Sequence, residues 1–309
     1  MRIIDADQLY ARVPWNAAIQ AIEAAARGGR ASAPPRMAVA LEAGELLLMP
    51  AHSATAVGVK VVGVAPSNTG RGLPRIQASY LLLDPVTLTP QALLDGTALT
   101  TVRTPALSAV AVRHLAAPLA QRLVVVGSGP QAWGHAHAIA SVRALDDICI
   151  VGRSAQRAAH LAARLSEEGL PARAGTLDQV PEADIVVCAT TSSTPVLPTG
   201  LVPAHACVVA VGSHHRGFRE LESALLRRAS SVVVEQRKVA LREAGDIVLA
   251  LSDGAVQEDD LIELTELLTS SRSTTGRQLT VFKSVGMGWQ DLVVAELAAA
   301  VDPASSSTA

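Results

Sequence analysis

Residues 124–132 read VVVGSGPQA, and this short stretch decides how the rest of the chain is read. An apolar run, Val124 to Val126, ends at Gly127, and an alanine-rich segment opens behind it. That order predicts a strand, a tight turn and a helix. Gly127 makes the turn, Gly129 lets backbone approach a phosphate, and Ala132 packs the helix against the strand. The helix N-terminus attracts an anion. Gly127, Ser128, Gly129, Pro130, Gln131 and Ala132 therefore form a candidate cradle for the pyrophosphate of a nicotinamide dinucleotide.

Downstream, the rhythm is strand, helix, strand. RLVVVG, DICIVG, DIVVCAT and CVVAVG are short apolar runs of the kind buried in parallel sheets, and SSVVVE adds a fifth. GPQAWGHAHAIASV and SAQRAAHLAARLSEEG are helices between them. This predicts an α/β chain with a Rossmann-type doubly wound sheet over residues 119–283. Cofactor choice is read at the end of the second strand. Asp146-Asp147 start that strand and so lie at the wrong edge. Its end carries Gly152, Arg153 and Ser154, with Arg157 a turn later, a set suited to a 2′-phosphate. NADPH is the expected cofactor, with NADH possible. Ala189, Thr190 and Thr191, after the third strand, suit contacts to the nicotinamide ribose.

Upstream, Asp5 to Gly28 reads as helical, with Asp5 and Pro14 as starts and Gly28-Gly29 as the stop. From Met37 to Leu94 strands follow one another without long helices: MAVALEAGELLLMP as a hairpin around Ala43-Gly44, then TAVGVKVVGVA, IQASYLLLD and VTLTPQALLD. An antiparallel or mixed sheet is expected. ALTTVRTPALSAVAVRHLA is a long helical stretch that Pro105 should kink or restart. Ala116-Ala117-Pro118 is the expected boundary. The result is an N-terminal α/β domain at 1–118, rejoined by a C-terminal helix at 289–302, with a disordered tail at 303–309.

Composition narrows the partners. The 309 residues carry a net charge of −2 and no basic block, so a nucleic-acid surface is not expected. No uninterrupted apolar run is long enough to span a membrane, and no secretory signal is expected from the opening residues MRIIDADQLY. Cys149, Cys188 and Cys207 sit singly in apolar runs and read as reduced, buried thiols, which makes the cytoplasm the default. His135 and His137 face different sides of a helix, and His214-His215 have no acidic or cysteine neighbour at ligand spacing, so no metal is expected. Only three cationic side chains are lysines: Lys60, Lys238 and Lys283. A lysine kept where arginine is the habit suits a site needing a titratable ammonium. Lys60 fits best, because it interrupts the apolar run TAVGVKVVGVA.

Several further motifs remain: Pro34-Pro35-Arg36, Leu48-Met49-Pro50, Gly58-Val59-Lys60, Asp95-Gly96-Thr97 with Arg103-Thr104, and Phe282-Lys283-Ser284-Val285-Gly286. Taken with VVVGSGPQA and VGRS, their order over nearly the whole chain resembles the ornithine cyclodeaminase/μ-crystallin family. The resemblance implies a homodimer formed through the sheet of the first domain and a substrate site between the two domains. Arg36 and Arg103 would hold a substrate carboxylate bidentately, and Lys60 would exchange a proton at the reacting C–N centre. Met49, Thr104, His214 and Gly286 would contribute to the substrate site. Val211, Gly212, Ser213, Lys283 and Val285 would join the cofactor set.

In cyclodeaminases of this family an aspartate follows the fourth strand and helps expel ammonia. Here His214 stands in that place, which speaks against ornithine cyclisation but leaves hydride addition to a C=N bond intact. The expected substrate is thus a small cyclic imino carboxylate, Δ1-pyrroline-2-carboxylate or Δ1-piperideine-2-carboxylate, reduced to L-proline or L-pipecolate. The alternatives are reduction giving an acyclic amino acid, as in alanine dehydrogenase or iminosuccinate reductase; then ornithine cyclodeaminase; then a non-catalytic binder of NADPH and a small ligand, as μ-crystallin can be.

Overall fold

The computed structural model describes residues 1–29, 31–270 and 278–300. The chain forms two units, Met1–Thr104 with Met287–Ala309, and Pro105–Gly286.

In the first unit a three-residue strand, β1 (Arg2–Ile4), precedes helices α1 (Ala6–Arg12) and α2 (Trp15–Gly28). Asp5 and Gln8 close a capping box at the start of α1, and Gly29 ends α2. The strands that follow are β2 (Ala31–Ser32), β3 (Met37–Leu41), β4 (Gly44–Ser53), β5 (Val57–Val64), β6 (Ile76–Leu83) and β7 (Pro90–Asp95). They line up as β1-β7-β6-β5-β4-β2, with β3 on the other stretch of β4. The sheet is mixed, because β1 runs parallel to β7 while β4, β5, β6 and β7 pair antiparallel. Two details differ from the sequence reading. Ahead of the helices read from Asp5, β1 adds a strand too short to show alternation. The run VTLTPQALLD is strand only from Pro90, since Asp84 turns the chain by accepting from the backbone of Val86 and Thr87.

Alternation along the strands gives this sheet two faces. Leu47, Met49, Lys60, Val62, Tyr80, Leu82 and Leu94 are buried on one face, and the C-terminal helix, Gly288–Ala300, packs on β4 and β5. On the other face Met37, Val39 and Val61 are exposed, and Leu46, Leu48, Val59, Leu81 and Leu93 are half-buried.

The helix α3 (Gly96–Leu115) grows out of β7. The Asp95 carboxylate accepts from the backbone of Thr97 and Ala98, both at 2.8 Å, and a Cβ on Gly96 would lie 2.8 Å from the Ala78 backbone. The Asp95-Gly96-Thr97 motif therefore fixes where the helix leaves the sheet. α3 continues through Pro105 without a second start. The division between the units falls inside it, at Thr104/Pro105, rather than after Ala116-Ala117-Pro118.

The second unit is an all-parallel sheet of β8 (Arg122–Val126), β9 (Asp147–Val151), β10 (Ala172–Gly175), β11 (Ile185–Cys188), β12 (Cys207–Ala210), β13 (Ser231–Val234), β14 (Leu261–Glu263) and β15 (Thr280–Lys283). Its order, β10-β9-β8-β11-β12-β15-β13-β14, is doubly wound, and the strand order reverses beside β8. Helices α4 (Pro130–Ala140) and α5 (Ala155–Glu167) are those read from sequence; α6 (Ser223–Arg228), α7 (Arg237–Glu243), α8 (Gly245–Ser252) and α9 (Leu264–Thr269) are additional. The core is made of Val, Leu, Ile, Ala and buried Cys. The expected tail at 303–309 lies outside the described residues.

Candidate active site

In the second unit the glycine turn behaves as its sequence demands. Gly127 has φ +142, and a Cβ there would lie 2.5 Å from the Ala189 carbonyl oxygen, so only glycine fits. Where a Cβ on Gly129 would point, no atom lies within 4 Å. That open space sits at the start of α4, with Pro130 in its first turn, where helix amides are left for an anion. Gly152 comes alongside: its Cβ would be 3.3 Å from Ser128 Oγ. Arg153, Ser154 and Arg157 follow on the surface, with Ser154 capping α5 by accepting from the Arg157 amide at 3.3 Å. At the opposite end of β9, Asp147 is held by Arg173 through two 2.8 Å bonds. These observations fit a dinucleotide whose pyrophosphate lies over Gly127–Ala132.

Ala189–Thr191 and Val211–Ser213 follow β11 and β12, and Lys283 ends β15 ahead of Ser284–Gly286, all at the same carboxyl edge of the sheet as Gly127. Their side chains are not all free to touch a ligand. Lys283 is fully buried and ion-paired with Asp246 at 2.9 Å, so its ammonium works inside the unit. The amides of Val285 and Gly286 donate to Glu235 at 2.8 and 3.1 Å. Ser213 Oγ donates to the Phe218 carbonyl at 2.5 Å and closes the loop that carries the half-buried His214.

In the first unit, strand β5 delivers Lys60 to the buried face, and α3 brings Thr100, Arg103 and Thr104 to it on one helical side. Lys60 Nζ donates to Asp291 Oδ1 at 2.8 Å and to Thr100 Oγ1 at 3.1 Å. Arg103 reaches the same Asp291 oxygen through Nε at 3.2 Å and donates from Nη1 to Gln290 at 2.8 Å. Met49 is the cross-strand neighbour of Lys60, and Tyr80 flanks it on the other side. Burial, then the charge of Arg103, pushes the Lys60 ammonium down to about 7. Asp291 holds it up, and Arg36 adds a smaller downward push. Arg36 and Arg103 thus both act on the Lys60 ammonium, and Lys60 and Arg103 share the buried Asp291 carboxylate.

Asp291 and Gln290 escaped the sequence reading. In WQDLVVAELAAA they look like the wet face of an amphipathic helix, yet both are completely buried. The available signal was the pairing of an amide with an acid inside a run otherwise dominated by Leu, Val and Ala.

The sequence profile of the ornithine cyclodeaminase/mu-crystallin family matches residues 9–301. A Δ1-pyrroline-2-carboxylate reductase of Bacillus cereus is 37% identical over 258 residues, 81% of this chain and 79% of its own. The ketimine reductase mu-crystallin of Mus musculus is 32% identical over 261 residues, 84% of this chain and 81% of its own. Among solved structures, the Δ1-pyrroline-2-carboxylate reductase of Thermococcus litoralis, in complex with NADH and L-proline, superposes with a TM-score of 0.92 at 31% identity. That match covers 97% of this chain and 96% of the other.

Proposed function

The chain belongs to the ornithine cyclodeaminase/mu-crystallin family, and we propose that it is an NAD(P)H-dependent reductase of cyclic ketimine carboxylates. Its substrates are Δ1-pyrroline-2-carboxylate and Δ1-piperideine-2-carboxylate, and its products L-proline and L-pipecolate. The observation that carries this reading is the Lys60 ammonium: buried, brought to about 7, and set beside Arg103 and Asp291. Such a group can give up a proton at neutral pH, whereas a guanidinium cannot.

A bound nicotinamide supplies the hydride that adds to the imine carbon. Lys60 keeps the imine nitrogen protonated, so that charge collapses onto nitrogen as the C–H bond forms. Arg36 and Arg103 orient the carboxylate. Asp291 holds Lys60 in place and sustains its charge against burial. Met49, Thr104, His214 and Gly286 complete our assignment of the substrate set.

Arg153, Ser154 and Arg157 support NADPH as the preferred cofactor, with NADH second. The apolar second face of the first sheet supports a homodimer built on it. Reduced, buried cysteines support a cytoplasmic setting, and no helix among the described residues is long and apolar enough to cross a membrane. The decisive experiment is cofactor oxidation with both cyclic ketimines, and with 2-oxo acids plus ammonia or methylamine, using NADPH and NADH. Turnover restricted to the acyclic partners would overturn the cyclic assignment, and no turnover with any would leave a binding protein.

A further inference from the structure

Glu220 is completely buried in a loop that neither the glycine turn nor the Lys60 cluster accounts for. Its Oε1 accepts from the Thr190 amide at 2.7 Å and from Thr190 Oγ1 at 2.8 Å. Its Oε2 accepts from the Gly212 amide at 2.7 Å. One carboxylate therefore ties together the turns after β11 and β12. The tie leaves no slack, since a Cβ on Gly212 would lie 1.9 Å from the Thr190 carbonyl oxygen. Ala189, the neighbour of Thr190, is in turn the residue against which Gly127 closes.

Glu220 is itself anchored. Asp246 Oδ1 accepts from the amides of Glu220 and Leu221 at 2.7 and 2.9 Å, and Asp246 Oδ2 pairs with Lys283 at 2.9 Å. Two buried acids and one buried lysine thus connect the ends of β11, β12 and β15. Burying charge is costly unless it is paired and hydrogen-bonded, and a sheet of this kind packs without such a set. Glu220 spends its bonds on backbone amides of two turns at the edge where a dinucleotide lies.

We infer that Glu220 is a positioning residue for the nicotinamide half of the cofactor, which it serves by fixing the backbone of Thr190 and Gly212. This rests on the reading of those turns as cofactor-binding. It touches no reacting atom, and the adenine half, read at Arg153, Ser154 and Arg157, lies outside its reach. Asp246 and Lys283 hold Glu220 in turn, which gives Lys283 an indirect part in seating the cofactor.

The test is Glu220→Gln, which keeps the shape but puts an amide NH2 against a backbone N–H. Binding of NADPH and NADH is compared with that of their adenine halves, 2′,5′-ADP and ADP, in the full-length protein. Dinucleotide affinity is expected to fall about tenfold or more, the scale of one charge-assisted hydrogen bond, with the adenine halves unchanged. Amide hydrogen exchange at Thr190 and Gly212 should quicken. Equal losses for dinucleotides and adenine halves would mean that Glu220 merely holds the unit together, and no loss for either would remove it from the site; both overturn the inference. Glu222→Gln, whose amide oxygen still accepts from the Thr199 amide, is the control expected to match the native protein. If the native protein bound neither dinucleotides nor adenine halves, the cofactor reading itself would fail, and this inference with it.

Discussion

Lys60 Nζ and Asp291 Oδ1 lie 2.8 Å apart, with side-chain exposures of 2% and 0%. A buried pair of this kind is weak evidence for stability, because desolvation offsets most of its attraction. Its value here is chemical: the pair keeps an ammonium charged where burial and two arginines would discharge it.

Lys60→Met is expected to lower turnover by about 10²–10⁴-fold, the usual range for loss of a general acid, with NADPH binding nearly intact. Lys60→Arg should not rescue it. Steady-state rates and cofactor titration check both, and an active Lys60→Arg variant would reduce Lys60 to a third member of the carboxylate clamp.

The rate should also report the charge on Lys60. The protonated form is the active one for reduction, so kcat/KM falls as pH rises through about 7. Asp291 raises this value and Arg103 lowers it. Asp291→Asn should therefore move the fall to lower pH and cost most of the activity at neutrality. An Asp291→Asn profile superimposable on the native one would uncouple the two residues.

The arginines separate by their surroundings. Arg36→Lys and Arg103→Lys keep charge but lose the planar fork, so each should weaken substrate by roughly 1.5–3 kcal/mol while cofactor affinity holds. Arg103→Lys should also lower the melting temperature, since Arg103 is bonded to Gln290 and Asp291. Substrate KM, cofactor Kd and thermal melts distinguish the two, and unchanged kinetics in both would remove them from the site.

Arg153→Asp should turn preference from NADPH towards NADH, because it offers an acceptor to the ribose diol and repels a 2′-phosphate. The ratio of kcat/KM for the two cofactors measures it. A native protein already favouring NADH would refute the phosphate reading of residues 152–157.

Val61→Lys places a charge in the middle of the apolar sheet face, where Val61 is 38% exposed. If that face joins two copies, sedimentation should show a monomer in place of a dimer. A dimer that survived the substitution would have its interface elsewhere.

β8, β9, β11, β12 and β13, with helices α4 and α5, were legible because VVVGSGPQA fixes a phase that later strands repeat. α6 to α9 were not, since helices of six to eight residues hold too few turns to show a period. β10, reading ARAG, and β14, reading LIE, are too short to alternate. Of the proposed site, Lys60, Arg36 and Arg103 stand out in the sequence because each departs from its background or carries a motif. Asp291 and Glu220 were not: an acid on a helix or in a charged loop looks solvated until the fold buries it.

The distribution of lysines has a practical consequence. Lys60 and Lys283 are each sealed in an ion pair, and Lys238, on α7, is the exposed one of the three. Surface cations are otherwise arginines, which do not react as amines. Acylating reagents and amine-directed cross-linkers consequently find one exposed lysine in addition to the α-amine of Met1, and pH selects between the two. A label, a fluorophore or a solid support attached to Lys238 sits on α7, in a different unit from the strand that carries Lys60.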